Sequence, residues 1–398
     1  MKHEFYKKKL KNGVTVLFEK RNLPIIASSA SVNWGAEYES EKVKGISHLM
    51  EHLMFKQSKN RSSEELAREI EKRGGVLNAF TDEEVTSYWN KMPSKHWDVG
   101  LDIASDLILH PKFDIKDFEK EKKVVIEEIK MYKDSPRSYV LDKIKEMLYK
   151  KPFGSSIAGD VNSVAGLELE NVKDIFKKNY TSDEMIVCCV GKANFDDICE
   201  YVEKSYPTNS RKLQIVEPVK INNEVVEKRK GVDQANYVFG FHGVPLSDKK
   251  RHIYDVVGGY LWMGMSSRMF QEIREKRGLC YTVNGYLDFA KNFGYGGIYV
   301  GTVPEKIKKV QELILKEFKD ISKIEKKDVD EVKEQLIGMN KLGQEDSINV
   351  MDSLMRLEFN GSAEEHYDFE ENIKKVKFED IKNFKLKNYS SFALIPEK

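Results

Sequence analysis

The sequence predicts an α+β protein of two similar α/β-sandwich-like domains, each an antiparallel-rich sheet with helices on one face. Strand-like and helix-like segments mix without a strict β-α-β alternation, which favours α+β over a doubly wound sheet. Residues 206–222 carry two prolines and no clear period, so they are interpreted as a linker between domains at 1–205 and 223–398. The pattern EIEKRGGVLNAF at 69–80 resembles EIREKRGLCYTVNGY at 272–286, which indicates an internal repeat.

The first domain shows the short elements of such a fold in order. Residues 14–19 and 25–34 are apolar segments typical of strands. Ser62 and Glu65 form a capping-box pattern, which predicts the start of a helix that ends at a Gly-Gly pair. VLNAF and VTSYWNKM follow as a hairpin-like pair of strands.

Longer periodic segments predict helices in both halves. Residues 96–109 form an amphipathic pattern stopped by Pro111, and residues 115–135 form a long helix stopped by Pro136. EMIVCCVG, ahead of the linker, predicts a buried strand. In the second half the helical segment KIKKVQELILKEFKDI follows the repeated pattern, as the helix at 96–109 does in the first.

Composition narrows the classes of function. The chain has 398 residues, enough for two or three domains. Lys+Arg 66 against Asp+Glu 65 leaves a net charge of +1, so the total charge favours neither nucleic acid nor an anionic membrane as a partner. Long apolar runs are absent, so we expect no secretory signal and no membrane span. Two of the four cysteines are adjacent and three lie in apolar surroundings, which favours a reduced, cytoplasmic protein over a disulfide framework. They form no C-x-x-C pair, so no thiolate zinc site is expected.

The segment GISHLMEHLMFK at 45–56 carries the candidate chemistry. His48 and His52 are four residues apart, so in a helix both imidazoles face the same point. Zinc binds neutral imidazole nitrogens, and a catalytic site has three protein ligands and an open position. Glu51 is better placed beside the metal than on it. There a carboxylate can take a proton from zinc-bound water and pass it to a leaving amine. This H-x-x-E-H order is the inverzincin pattern.

A third ligand is needed, because two histidines on an amphipathic helix also fit simple packing. The segment EKEKKVVIEEIKMY combines carboxylates with an apolar stripe, and charged groups on a buried helix need a partner or a metal. Glu121 and Glu128 are two turns apart and share a face, whereas Glu127 points about 100° away from Glu128. The residues themselves leave Glu127 and Glu128 both open as the ligand, and they leave open that all are surface charges.

HLMEH and the later VVIEEIKMYKDSP resemble the pitrilysin/insulysin family of zinc peptidases. They are most similar to its half-length branch, which includes bacterial processing proteases and the mitochondrial processing peptidase β subunit. The resemblance implies that His48, His52 and Glu128 bind Zn²⁺. It also implies that Glu121 is a supporting carboxylate and Glu51 the general base.

Two further segments extend the resemblance. GGVLNAFTDEEVTSY resembles the family's edge strand, which pairs with the substrate backbone. The substrate-binding residues would be Asn78, Ala79, Phe80 and Thr81, and an ordinary core strand is the alternative. IREKRGLCY has the spacing of an Arg-Tyr pair that the family brings from its second domain, here Arg274 and Tyr281.

The Arg-Tyr pair has a plausible chemistry of its own. The Arg274 guanidinium can bind a peptide carbonyl or carboxylate, and the Tyr281 hydroxyl can donate to a developing oxyanion. A salt-bridged arginine and a core tyrosine are the alternative. The second half has no H-x-x-E-H, and it reads GGYLWMGMSSRMF at roughly the matching place. The first domain is therefore expected to hold the metal and the second to clamp the substrate.

These expectations combine into a zinc metalloendopeptidase that cleaves unstructured peptides in a chamber between two domains. The half-length branch implies a homodimer. Two alternatives stay open: a catalytically silent peptide-binding or structural subunit, and a protein in which zinc only braces the fold. The intact ligands and base speak against the silent subunit, and replacement of Glu51 would separate a hydrolase from a protein with structural zinc.

Overall fold

The computed structural model describes residues 4–212 and 216–397. The chain forms two compact units. Unit 1 contains Met1–Ile129, Ser156–Val216 and Gly343–His366, and unit 2 contains Lys130–Ser155, Glu217–Leu342 and Tyr367–Lys398. Each unit is thus assembled from three separate chain segments, whereas the sequence suggested two continuous ranges joined by a linker at 206–222.

The described residues contain eleven strands. They are β1 (Glu4–Lys9), β2 (Thr15–Lys20), β3 (Ile25–Val32), β4 (Val76–Thr81), β5 (Thr86–Pro93), β6 (Met185–Gly191), β7 (Glu224–Arg229), β8 (Ala235–His242), β9 (Thr282–Phe289), β10 (Gly294–Thr302) and β11 (Tyr389–Pro396).

Fourteen α-helices lie in the same ranges. They are α1 (Ile46–Met54), α2 (Ser63–Glu71), α3 (Trp97–Leu109), α4 (Ile115–Asp134), α5 (Pro136–Leu148), α6 (Val161–Ala165), α7 (Leu169–Asn179), α8 (Phe195–Ser205), α9 (Arg251–Leu261), α10 (Ile307–Asp320), α11 (Lys326–Gly343), α12 (Ser347–Phe359), α13 (Phe369–Lys375) and α14 (Phe378–Lys382). Within the described chain, no helix combines the length and apolar character that crossing a bilayer requires.

The local signals of the sequence correspond to these elements. The Ser62 capping box is formed, with its side chain accepting the Glu65 N–H and the Glu65 carboxylate accepting the Ser62 N–H. Strands β4 and β5 pair as an antiparallel hairpin. Pro136 does end α4, but it also begins α5, where its missing N–H costs nothing and its fixed φ suits the first turn.

The two sheets share one strand order. Unit 1 has a six-stranded sheet, β1-β2-β6-β3-β5-β4, and unit 2 has a five-stranded sheet, β7-β11-β8-β10-β9. In both, one parallel pair (β2 with β6, β7 with β11) is followed by antiparallel pairs only. Apart from the extra β1, each strand of sheet 1 has a counterpart in sheet 2. The α+β class with two similar units is confirmed.

Each sheet is covered by a helix that comes from the other half of the sequence. Helix α12 packs on β6 and β3 of unit 1, and α5 packs on β8 and β11 of unit 2. The α5 contact is tight, because a Cβ at Gly240 would lie 2.4 Å from the Ile144 side chain. The sequence predicted helices on one face of each sheet. In unit 1, α12 covers the face of the sheet opposite α1 and α3. Phe80 of β4 contacts Arg356 of α12, whereas Tyr88 of β5 contacts Met54 of α1. The strand register places the Phe80 and Tyr88 side chains on opposite faces of the sheet.

Candidate metal centre

A glycine at the N-cap, Gly45, fixes the start of helix α1. Gly45 has φ +92, a left-handed conformation that glycine adopts without a side-chain clash, and a Cβ there would lie 2.5 Å from the Ala158 carbonyl oxygen. Leu49, Met50 and Leu53 are fully buried on the inner face of the helix. This burial sets the rotation of α1, and it leaves the His48, Glu51 and His52 side chains half-buried on one face.

A buried carboxylate holds the N-terminus of α1. Glu39 accepts the Gly45 N–H at 2.9 Å and the Ser47 N–H at 2.7 Å, which are otherwise unpaired donors of the first turn. The Lys44 ammonium lies 3.4 Å from the same carboxylate. Burial raises the pKa of Glu39, while Lys44 and the two N–H donors act against that shift. The arrangement orients α1 through both hydrogen bonds and the helix dipole.

Helix α4 supplies the carboxylates that face α1. Glu121 is almost fully buried and Glu128 half-buried, whereas Glu127 is exposed. The sequence left Glu127 and Glu128 open, and burial of the α4 face separates them. His48, His52 and Glu128 come together as a group in which one possible ligand atom from each lies within 4.8 Å of the others.

The distances within this group suit a small cation. His52 Nε2 lies 3.4 Å and His48 Nε2 lies 3.9 Å from the same Glu128 oxygen, Oε2. The two imidazole rings meet edge to face with centroids 4.8 Å apart. Ligands at ~2.0–2.1 Å from a tetrahedral zinc are separated from one another by roughly 3.3–3.4 Å. The three side chains thus need only small movements to share one ion.

Burial and charge shift the pKa values of the two histidines in opposite directions. Burial, with the neighbouring His52, lowers the pKa of His48 to about 4, so this ring is neutral at neutral pH. Burial also lowers the pKa of His52, but the hydrogen bond and charge of Glu128 and the charges of Glu51 and Glu121 outweigh it and raise the pKa overall. A neutral imidazole is the form that binds a metal.

Glu51 lies beside the group and has a perturbed pKa. Burial raises the pKa of its carboxyl, and a hydrogen bond from Thr81 together with the charge of His52 opposes part of that increase. A carboxyl whose pKa is shifted towards neutrality is suited to both accepting and donating a proton. Thr81 belongs to β4, so the strand expected to bind substrate also contacts the expected base.

A second carboxylate braces His52 from behind. Glu121 Oε2 lies 3.5 Å from His52 Nδ1, the ring nitrogen that points away from Glu128. The other oxygen, Oε1, forms an ion pair of 2.9 Å with the Lys56 ammonium. Sequence reasoning identified Glu121 but missed Lys56, although its place four residues after His52 is the signal that could have found it. It also missed Glu39.

The four residues predicted to bind substrate lie on an edge strand. β4 is the last strand of sheet 1 and, within residues 4–212 and 216–397, pairs with β5 alone. Asn78 is exposed, while Ala79, Phe80 and Thr81 are half-buried. The Ala79 N–H donates a hydrogen bond to the Asn78 side-chain oxygen at 2.9 Å. An edge of this kind can accept another extended chain.

Arg274 and Tyr281 belong to unit 2. Arg274 lies in a π-helical turn, Phe270–Glu275, where its guanidinium covers the Phe270 ring at 4.6 Å from the centroid. Tyr281 immediately precedes β9, and its side chain is 80% exposed. The alternative of a core tyrosine is therefore wrong. The Tyr281 backbone is fixed by a hydrogen bond of 3.1 Å from its N–H to the Gly301 carbonyl.

Comparison with known proteins decides the family. Residues 15–161 match the sequence pattern of the insulinase family (peptidase family M16), and residues 166–336 match that of the peptidase M16 inactive domain. A Bacillus subtilis protein named as an uncharacterized zinc protease, YmxG, is 31% identical over 349 residues, which cover 85% of this chain and 84% of that protein. The chain belongs to peptidase family M16. The resemblance inferred from HLMEH and VVIEEIKMYKDSP is confirmed.

Other M16-like proteins agree with this assignment. A Rickettsia felis protein, also named as an uncharacterized zinc protease, is 31% identical over 341 residues, covering 82% of this chain and 80% of that protein. A protease structure from Helicobacter pylori has a TM-score of 0.92 at 21% identity, covering 99% of this chain and 100% of that one. A Pseudomonas fluorescens structure described as a peptidase M16 inactive domain has a TM-score of 0.89 at 17% identity, covering 99% and 98%. The structures confirm the fold, and the M16 peptidase domain and the relatives' names support a peptidase.

Proposed function

We propose that this M16 protein is a zinc-dependent endopeptidase that cleaves unstructured peptides. The observation that carries the proposal is the group formed by His48, His52 and Glu128, with the Glu51 carboxyl on the same face of α1. Two imidazoles and one carboxylate are a common ligand set of catalytic zinc, which keeps its fourth position for water or substrate. The residues therefore fit the metal that the relatives' names imply.

The chain's own residues divide the chemistry among them. His48 and His52 would hold the metal through Nε2 and Glu128 through Oε2, while Glu121 orients the His52 ring from its Nδ1 side. Bound zinc supplies a lowered water pKa and a polarised substrate carbonyl. Glu51 accepts the proton of the attacking water and then donates it to the departing amine, which its raised pKa favours.

Strand β4 would hold the substrate. An extended peptide would add to the edge of β4 by backbone hydrogen bonds. Binding would then depend less on the peptide's sequence than on its being extended. Asn78, Ala79, Phe80 and Thr81 provide this edge, and Thr81 links it to Glu51. This mode of binding accounts for a preference for unstructured peptides over folded proteins.

Unit 2 has a proposed role in the same reaction. Arg274 would bind a peptide carbonyl or carboxylate, and the exposed Tyr281 hydroxyl would donate to the oxyanion. We also propose a cytoplasmic homodimer whose domains enclose a chamber around the peptide. The chain carries both the metal group and the Arg-Tyr pair, which supports two identical subunits over two different ones.

Cleavage of a peptide tests the proposal directly. A long unstructured peptide is incubated with zinc-loaded wild type and with zinc-loaded Glu51→Gln, and the products are identified by mass spectrometry. We expect discrete fragments from the wild type only, with equal zinc content and melting temperature in both proteins. Intact peptide in both would instead support a peptide-binding or structural subunit. Cleavage by both would show that Glu51 is not the base.

A further inference from the structure

Arg356 joins helix α12 to the end of the edge strand β4. Its guanidinium donates a hydrogen bond from Nη1 to Asp82 Oδ2 and covers the Phe80 ring at 4.9 Å from the centroid. Its Nε bonds to both oxygens of Asp352 on its own helix, at 3.0 and 2.9 Å. The rigid, planar fork of arginine suits such simultaneous pairing and stacking, which a lysine reproduces only in part.

The two contacts on β4 flank the residue that reaches Glu51. Phe80 precedes Thr81 and Asp82 follows it, and the Thr81 hydroxyl hydrogen-bonds the Glu51 carboxyl. Side chains alternate along a strand, so Phe80 and Thr81 point to opposite faces of the sheet. Arg356 therefore holds β4 from the face opposite α1, at the point where the strand meets the expected base.

The turn after β4 has other hydrogen bonds that do not involve Arg356. Asp82 Oδ1 accepts the Glu84 and Val85 N–H groups at 2.8 and 2.6 Å. The Asp82 carbonyl accepts the Ala36 N–H at 2.9 Å. Loss of the Arg356 side chain should thus leave the turn folded and remove only the contacts that hold the end of β4.

Side-chain contacts of this kind stabilise an edge strand, because an edge strand is hydrogen-bonded to a neighbour on one side only. The end of an unsupported edge samples open conformations, and a peptide that pairs with it must first order the strand. A strand held straight before binding removes that cost. Arg356 acts from a helix that comes from the other half of the sequence, so the first half alone lacks this support.

We propose that Arg356 is a positioning residue for the peptide-binding edge, through which α12 pre-orders the Phe80–Asp82 end of β4. The inference rests on the proposed function, because it names what makes that edge competent to bind an extended peptide. Arg356 touches neither the metal group nor the reacting atoms. Its effect should therefore appear in peptide affinity and KM, with kcat and zinc content nearly unchanged.

Direct binding separates this inference from the catalytic proposal. A fluorescein-labelled, unstructured casein peptide is titrated by fluorescence anisotropy into the zinc-loaded Glu51→Gln protein, with and without Arg356→Met. We expect Arg356→Met to weaken binding about tenfold. In the otherwise wild-type protein, the same substitution should raise KM by a similar factor while kcat changes less than about twofold. Arg356→Lys should restore part of the affinity.

Glu358→Gln provides a matched control on the same helix. Glu358 pairs with Lys7 of β1 at 2.6 Å, at the opposite edge of the sheet, so its loss loosens α12 without touching β4. Unchanged peptide affinity in Glu358→Gln with a tenfold loss in Arg356→Met would support the inference. Equal affinity in Arg356→Met and its parent, or equal losses in both variants, would overturn it. A wild-type protein that neither binds nor cleaves the peptide would overturn the proposed function as well.

Discussion

Units 1 and 2 share a strand order but differ in the side chains that their helices present. In each, a Lys-Arg-Gly pattern leads towards the edge strand, β4 in unit 1 and β9 in unit 2. In unit 1 the half-buried face of α1 presents two histidines and a glutamate to the carboxylates of α4. In unit 2, α9 has the sequence RHIYDVVGGYL, and its one histidine pairs with Asp255 of the same helix at 3.1 Å.

The difference agrees with the proposal that the fold is a scaffold and that α1 and α4 of unit 1 carry the metal group. Unit 2 instead exposes an arginine in a π-helical turn and a tyrosine before its edge strand. Chemistry resides in sites placed on a fold rather than in the fold itself. The family pattern of an inactive domain over residues 166–336 is in line with this division.

The sharpest contrast lies between two adjacent glutamates of α4. Glu128→Gln should lower zinc affinity by more than the ~10–100-fold that is typical of changes outside the ligand shell, because it removes a charged ligand. Glu127→Gln, exposed on the neighbouring face, should leave zinc affinity unchanged. Competition with a chromogenic chelator measures both. Equal zinc affinity in the two variants would contradict the assignment of Glu128.

Tyr281→Phe tests whether unit 2 takes part in the reaction. Loss of one oxyanion donor should lower kcat about a hundredfold, with zinc content and stability unchanged since the ring is exposed. Tyr6→Phe, another exposed tyrosine, serves as the control and should keep full activity. Steady-state peptide cleavage gives kcat for both proteins. A wild-type kcat in Tyr281→Phe would confine the chemistry to unit 1.

Gly45→Ala tests how α1 is oriented. The substitution forces a side chain into a left-handed conformation and against the Ala158 carbonyl, so we expect a loss of about 2 kcal/mol in the free energy of unfolding. Gly74→Ala has φ +74 but open space around its Cβ and should lose only about 1 kcal/mol. Urea denaturation provides both values. A loss in Gly45→Ala no larger than in Gly74→Ala would show that the close approach to Ala158 does not matter.

Lys56→Met tests the brace behind His52. Without the ion pair to Glu121, the carboxylate that orients His52 is less constrained, and zinc affinity should fall about tenfold. Lys56→Arg should retain most of the affinity. Lys59→Met, on the exposed loop after α1, should behave as wild type. If all three variants bind zinc equally, Lys56 is an ordinary surface charge.

Local patterns in the sequence were sufficient for much of unit 1. The capping box of α2, the β4–β5 hairpin and the bounds of α3 and α4 depend on neighbours in the chain, so a linear pattern identifies them. His48, Glu51 and His52 were identifiable for the same reason, since one helix turn brings them together.

Long-range packing could not be predicted from the sequence. The periodicities of α5 and α12 predict amphipathic helices but not which sheet each covers, so the exchange between halves was missed. Arg356 was missed with it, because its partners Phe80 and Asp82 lie far away in the chain. The residues alone did not distinguish Glu128 from Glu127. The family resemblance indicated Glu128, and in the structure the burial of one face of α4 separates the two.

Anomalous diffraction at the zinc edge tests the central claim most directly. A crystal of the zinc-loaded protein should show one strong anomalous peak per chain, within coordination distance of His48 Nε2, His52 Nε2 and a Glu128 carboxylate oxygen, at ~2.0–2.2 Å. That result would place the metal chemistry in unit 1 alone. A peak in unit 2, or none near α1, would contradict the account.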